Sequence, residues 1–148
     1  MTPHIRQAVA ADVPAVVALL IDDVLGEARE DADPAPYRAA FARMQAQNGN
    51  RVFVAEQDGA IVGTYQLIFI EGLSLRATLR AQIESVRVRS DLRGKGLGTA
   101  LMRDAIARAR DSGCGLVQLT SNATRTEAQR FYTALGFVGS HVGYKLKL

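Results

Sequence analysis

The stretch SDLRGKGLGTALM, Ser90 to Met102, sets glycines at 94, 96 and 98 where the most regular helical pattern of the chain begins. Glycine in a helix turn costs on the order of 0.5–1 kcal/mol relative to alanine, so this spacing needs a compensating close approach to bare backbone. A helix N-terminus presents unpaired backbone N–H groups and about half a positive charge, which together make an anion site. Arg93 and Lys95 add formal charge and Thr99 adds a hydroxyl in the first turn, so a pyrophosphate is the natural guest. Two familiar phosphate patterns fit poorly. A Walker loop needs Ser or Thr after its lysine, whereas Lys95 precedes Gly96, and the even spacing of the glycines breaks the dinucleotide pattern G-x-G-x-x-G.

Around this turn, strands and helices alternate with no repeat and no linker, and 148 residues suffice for about one domain, 1–148, around a single core. HIRQAV reads as a short strand, and Asp12 as a cap with Pro14 in the first turn. Val13, Val16, Val17, Leu20 and Val24 then share one helical face. A second helix starts after Asp33-Pro34, carries Tyr37, Phe41 and Met44, and stops at Asn48-Gly49. RVFVAEQ and AIVGTYQLIFI form a hairpin on Asp58-Gly59, and the loop from Glu71 to Thr78 leads into the strand AQIESVRV. In that strand Ile83 is out of phase with Val86 and Val88, and a β-bulge near Glu84 and Ser85 restores the alternation. Leu97, Leu101, Ala105 and Ala109 mark a helix ending at Ser112-Gly113, followed by the strand LVQLTSN. The helix TEAQRFYTALG is capped by Gly136, and FVGSHVGYKLKL closes the chain as a strand or a pair of strands.

VRVRSDLRGKGLGTALM resembles the signature of the GNAT superfamily of acyl-CoA-dependent N-acetyltransferases, whose pyrophosphate element [RQ]-x-x-G-x-[GA] is met by Arg93, Gly96 and Gly98. The bulged strand before it, the helix after it, LVQLTSN and RFYTALGF are similar to that family in order and spacing, strongly over 81–138. The resemblance implies an α+β fold, a mixed central sheet flanked by helices in α/β/α layers, with a bulged, splayed central strand. It implies acetyl-CoA as co-substrate, wedged where two parallel strands part. Val86, Arg87 and Val88 would hold the acyl carbonyl and pantetheine arm through strand backbone. Arg93, Gly94, Lys95, Gly96, Leu97, Gly98 and Thr99 would hold the pyrophosphate. Where many members carry an asparagine three residues before the alanine of the last helix, this chain has Arg125 before Ala128, with Asn122 nearby. Asn122 is then a candidate for the pantetheine and Arg125 for a CoA phosphate.

Acyl transfer from a thioester to an amine needs a base, because alkyl amines with pKa values near ~10 are protonated at neutral pH, and it gains from an acid at the departing sulfur. Tyr132 matches the family tyrosine near the thioester sulfur and is the candidate acid; Glu84, beside the bulge, is the candidate base, directly or through water. The segment LTSNATRTEAQRFYTALGFVGSH also resembles aminoalkylphosphonate acetyltransferases, which by itself does not identify a substrate.

The formal charge of +3 is unevenly spread. Residues 1–36 hold Arg6 and Arg29 against Asp12, Asp22, Asp23, Glu27, Glu30, Asp31 and Asp33, and the remainder is strongly basic. An acidic rim of this kind attracts a small cationic amine, polyamine-like or aminoglycoside-like, while the basic remainder suits anionic acyl-CoA. A non-catalytic acyl-CoA sensor, needing neither Tyr132 nor Glu84, stays open as a second reading. A nucleic-acid module using Arg87, Arg89, Arg93 and Lys95 is weaker, since there is no tryptophan and little aromatic clustering beside them. The expected partners are therefore acetyl-CoA and an amine, without nucleic acid or membrane; a homodimer is allowed. His4, His141 and the lone Cys114 have no metal-ligand spacing, so no metal is expected. The absence of a leader pattern, of a long apolar run and of any cysteine pair points to the cytoplasm.

Overall fold

The computed structural model describes residues 2–23, 29–31 and 33–148. Val24 and Glu27 lie outside the described residues. The chain forms two compact units, Met1–Gln118 and Leu119–Leu148.

The first unit holds β1 (His4–Gln7), α1 (Val13–Ile21), α2 (Ala35–Ala46), β2 (Asn50–Gln57), β3 (Ala60–Ile70), β4 (Arg80–Val88), α3 (Leu97–Asp111) and β5 (Leu116–Gln118). Strand order follows the chain from β1 to β5; the first four strands are antiparallel and β5 joins β4 in parallel. The sheet is therefore mixed. Asp58 and Gly59 both adopt positive φ, 52° and 77°, as a two-residue hairpin turn requires.

Alternation on the strands assigns the two faces. Val54 packs with Val13 and Val17 of α1 and Phe41 of α2. Its neighbour Phe53 lies on the other face, with the Arg108 guanidinium of α3 at 4.2 Å from the ring centre and Tyr65 stacked on it at 5.1 Å. Leu97, Leu101, Met102, Ala105 and Ala109 are buried where α3 meets that face. Full burial of a side chain such as Leu101 contributes roughly 1.5–3 kcal/mol. α3 ends in a Schellman motif, with Gly113 at φ 86° and the Cys114 N–H donating to the Ala109 carbonyl.

Asp12 occupies the N-cap of α1 as expected, but its carboxylate makes no bond to that helix's first turn. Its carboxylate accepts the Val9 N–H at 2.8 Å and a two-pronged contact from Arg6 at 2.7 and 3.0 Å, tying the turn before α1 to β1.

In the second unit, α4 (Thr126–Ala134) ends at Gly136 with φ 97°, and the Phe137 N–H donates to the Tyr132 carbonyl. LVQLTSN contributes only Leu116–Gln118 to a strand, and the closing FVGSHVGYKLKL forms none. Strands need a neighbour to satisfy their backbone groups, and this unit supplies no ladder for them. Val138, Val142, Tyr144, Leu146 and Leu148 are correspondingly exposed.

Candidate active site

The bulge lies where broken alternation puts it. Gln66 of β3 pairs with Glu84 and Thr64 with Arg87, so Tyr65 alone faces two residues, Ser85 and Val86. Ser85 takes φ 52°, a left-handed conformation that costs a non-glycine residue about 1–2 kcal/mol. Such strain gathers at functional sites, where surrounding structure holds it. The bulge also keeps Glu84 and Arg87 on the α1/α2 face despite their odd separation, while Ile83 and Val88 face α3.

β4 and its parallel neighbour β5 pair over a short stretch. Only Arg80–Gln82 pair with Leu116–Gln118, and beyond Gln82 β4 has no β5 partner. Along this stretch the Val86 carbonyl accepts Arg87 Nη1 at 2.9 Å and the Val88 carbonyl accepts Arg93 Nε at 3.2 Å.

A single 3-10 turn, Ser90–Leu92, leads to the glycine turn and α3. Gly94 and Gly96 have φ 75° and 87°, and a Cβ at either would meet nothing within 4 Å. Glycine is therefore required by backbone conformation, and the space beside it is open to a ligand. Arg93, Gly94, Lys95 and Gly96 are exposed, Gly98 and Thr99 half-buried, and Leu97 is buried against the sheet. The first helical bond runs from the Ala100 N–H to the Gly96 carbonyl, which leaves the N–H groups of Leu97, Gly98 and Thr99 in the unpaired first turn. This cradle fits a pyrophosphate.

Two acidic residues after α1 anchor this element. Asp22 Oδ2 accepts the Ser90 N–H at 2.8 Å, and its carbonyl accepts Arg93 Nη2. Asp23 lies 3.3 Å from Arg87 Nε, with the two side chains 8% and 14% exposed. Arg87 is thus a strut between β4 and the end of α1. Other rim acids also hold local structure: Glu30 accepts the Tyr37 hydroxyl, Asp31 accepts the Asp33 N–H, and Asp33 accepts the Ala35 N–H at the start of α2.

Glu84 ends a chain of amides. Gln118 Nε2 donates to Gln82 Oε1 at 2.9 Å, and Gln82 Nε2 donates to Glu84 Oε1 at 2.5 Å, leaving the second carboxylate oxygen for other work. On the same face, α1, α2 and the sheet enclose a cavity of about 140 Å³ that reaches Gln66, the pairing partner of Glu84, and the strained Ser85.

In the second unit Tyr132 is half-buried, its ring centre 5.2 Å from Phe131 and 6.0 Å from Phe137. Asn122 Oδ1 accepts the Thr124 N–H at 3.0 Å and hydroxyl at 2.7 Å, and the exposed Arg125 is the N-cap residue of α4. His141 contacts Ser140 in the exposed closing segment, and burial pushes the Cys114 thiol up from its ordinary value. Among the described residues no cluster of His, Cys, Asp and Glu is placed to hold a metal, and no helix is long and apolar enough to cross a membrane.

The sequence pattern of the acetyltransferase (GNAT) family matches residues 17–137. The chain belongs to the GNAT acetyltransferase family. This GNAT acetyltransferase is 40% identical to a Bacillus halodurans C-125 protein described as a transcriptional regulator, over 99% of each chain with a TM-score of 0.95. It is 30% identical to the L-methionine sulfoximine/L-methionine sulfone acetyltransferase of Pseudomonas aeruginosa, over 93% of its own length and 81% of the relative's. It is 28% identical to the aminoalkylphosphonate N-acetyltransferase of Salmonella typhimurium, over 93% of its own length and 86% of the relative's. Acetyltransferases of this family use acetyl-CoA as co-substrate. The bulge, the glycine turn and the identity of the family are thus all carried by residues the sequence singles out. Ser85 as a cavity residue and Asp22 as an anchor are not, because each acts through contacts distant in the chain.

Proposed function

We propose that residues 1–148 act as one cytoplasmic acyltransferase domain that moves the acetyl group of acetyl-CoA to the primary amine of a small molecule by direct attack on the thioester. The observation that carries this reading is the Ser85 bulge, which joins the unpaired edge of β4 to the cavity on the α1/α2 face. An amine in that cavity and a thioester along the strand edge would meet at the bulge.

The chain's own groups have defined tasks. The glycine turn from Arg93 to Thr99 binds the pyrophosphate, with backbone N–H groups and Lys95 as donors. Backbone groups of Val86 and Val88 orient the pantetheine and the acyl carbonyl, Asn122 meets the pantetheine, and Arg125 pairs with a CoA phosphate. Arg87, paired with Asp23, holds this strand in place. Glu84 takes a proton from the ammonium form, directly or through water, and the freed lone pair forms the C–N bond. As the C–S bond breaks, Tyr132 hands its phenolic proton to the sulfur and is restored, through water, by the second proton that leaves the nitrogen as the neutral amide forms, while the proton held by Glu84 passes to solvent. The acceptor arrives as an alkylammonium cation, which the acidic first segment attracts over distances within the Debye length.

The experiment is thiol release from acetyl-CoA in the presence of a panel of amines, with product mass confirming N-acetylation. Release with at least one amine supports the reading. Tight acetyl-CoA binding without release for any amine overturns it in favour of an acyl-CoA sensor.

A further inference from the structure

The cavity between α1 and α2 is chemically one-sided. Val16, Val17 and Leu20 of α1 and Phe41 and Met44 of α2 form its walls, and among the described residues no charged side chain lines it. The polar groups at its sheet side are largely committed: the Thr64 hydroxyl donates to the Phe53 carbonyl at 2.8 Å, and Gln66 Nε2 donates to Asn50 Oδ1 at 2.8 Å. The Tyr37 hydroxyl, at the α2 side, donates to Glu30 and accepts the Asp31 N–H. A polycation placed inside would leave buried charge without a partner, which desolvation strongly disfavours.

Its size is also selective. At about 140 Å³ it approaches the roughly 150 Å³ of an apolar protein cavity that stays dry and takes up benzene. Its polar end coincides with the strained Ser85, next to the strand edge where the reaction is placed, and Glu84 pairs with Gln66 there. A compact body seated in the cavity would hold an attached amine at the bulge.

Resting on the acetyl-transfer reading above, we propose that the acceptor is a monoamine carried on a compact apolar body, a single phenyl ring or a branched alkyl group of similar size. The acidic rim then acts on the one ammonium group, and polyamines and aminoglycosides, whose bodies are polar throughout, are poor acceptors.

Two measurements test it. The first compares kcat/KM for benzylamine, 2-phenylethylamine, ethylamine and spermidine by thiol release. The expected result is a preference for the phenyl amines over ethylamine of about 30-fold or more, the scale of burying one ring. Equal or better use of ethylamine or spermidine overturns the apolar-body proposal while leaving acetyl transfer intact, whereas no release with any amine sinks acetyl transfer itself. The second needs no turnover: 19F NMR of 4-fluorobenzylamine with the full chain should show binding. That binding should be lost in Ala40→Phe and in Leu20→Phe, each of which fills the cavity from a different helix. A melting curve identifies any variant that fails to fold, and the other variant then decides. An unperturbed 19F signal with the parent chain, or undiminished binding in a folded variant, overturns the cavity as the site.

Discussion

The Tyr65 phenol donates a 2.5 Å hydrogen bond to Asp104 Oδ2, and the same oxygen receives Arg108 Nε at 2.7 Å. Tyr65 is the β3 residue that spans the bulge, and Asp104 lies on the helix that begins at the glycine turn. One contact thus fixes the spacing between the strained strand and the anion cradle. Burial, followed by the Asp104 carboxylate, pushes the Tyr65 phenol far above its ordinary pKa, so it stays a donor at any working pH. Tyr65→Phe should destabilise the fold by about 1–3 kcal/mol, read as a lower urea midpoint, and raise KM for acetyl-CoA more than it lowers kcat.

Ser85→Gly should raise the urea midpoint, because glycine adopts φ 52° without steric cost; the gain is about 1 kcal/mol. Ser85→Val should lower it by more than that, since a β-branched residue fits a left-handed conformation poorly. Equal midpoints for the two variants would remove strain from the account of this site.

Gly96→Glu should weaken acetyl-CoA binding by at least tenfold in calorimetry. It places a side chain and a negative charge in the open space beside the helix N-terminus and forces a non-glycine residue to φ 87°. Unchanged affinity would move the pyrophosphate elsewhere.

Tyr132→Phe should reduce kcat on the order of 10²-fold with little change in acetyl-CoA affinity, because the ring and its packing on Phe131 and Phe137 remain while the proton donor is gone. Glu84→Gln should displace the pH profile of kcat/KM, and an unmoved profile would exclude Glu84 as the base.

The acid limb of stability should depend on Asp12. The Arg6 guanidinium, together with the Val9 N–H, holds its carboxyl below the usual range against the opposing effect of burial. A lowered folded pKa means stability that is present above the unfolded value near ~3.9 and is lost as pH falls through the folded one. Asp12→Asn should therefore lower Tm at pH 7 by on the order of 5 °C, with the gap to the parent chain closing toward pH 2.

What the sequence could reveal was local. The phase slip at Ile83, the Asp58-Gly59 pair and the glycine turn each follow from residues within a few positions of one another, and each appears in the structure. Asp12 stands at the N-cap of α1 as the sequence indicates, but its carboxylate turns back to Arg6 and the Val9 N–H, a choice of partner that residue type alone does not specify. The anchors Asp22 and Asp23 act on Ser90 and Arg87 across a long stretch of chain, and read locally they are a charge run. For the closing segment, Val142, Tyr144, Leu146 and Leu148 carry strand periodicity, but periodicity specifies which side a residue faces and not whether a neighbour is present to pair.

The extra residue in β4 makes its length a determinant in its own right. Odd-numbered positions up to Ile83 look toward α3, whereas downstream of Ser85 the even-numbered ones do, and the switch of parity occurs in a single step opposite Tyr65. Removing Ser85 would leave one residue opposite Tyr65 and make the ladder regular, even with every remaining side chain retained. Arg87 and Val88 would keep their faces, opposite Thr64 and Gly63, while the bend and the left-handed residue beside the cavity would be lost. Deletion of Ser85 should therefore spare the Arg87–Asp23 pair and the packing of Val88 against α3 yet lower kcat/KM for acetyl transfer, because the sheet would keep a regular pairing count without the bend.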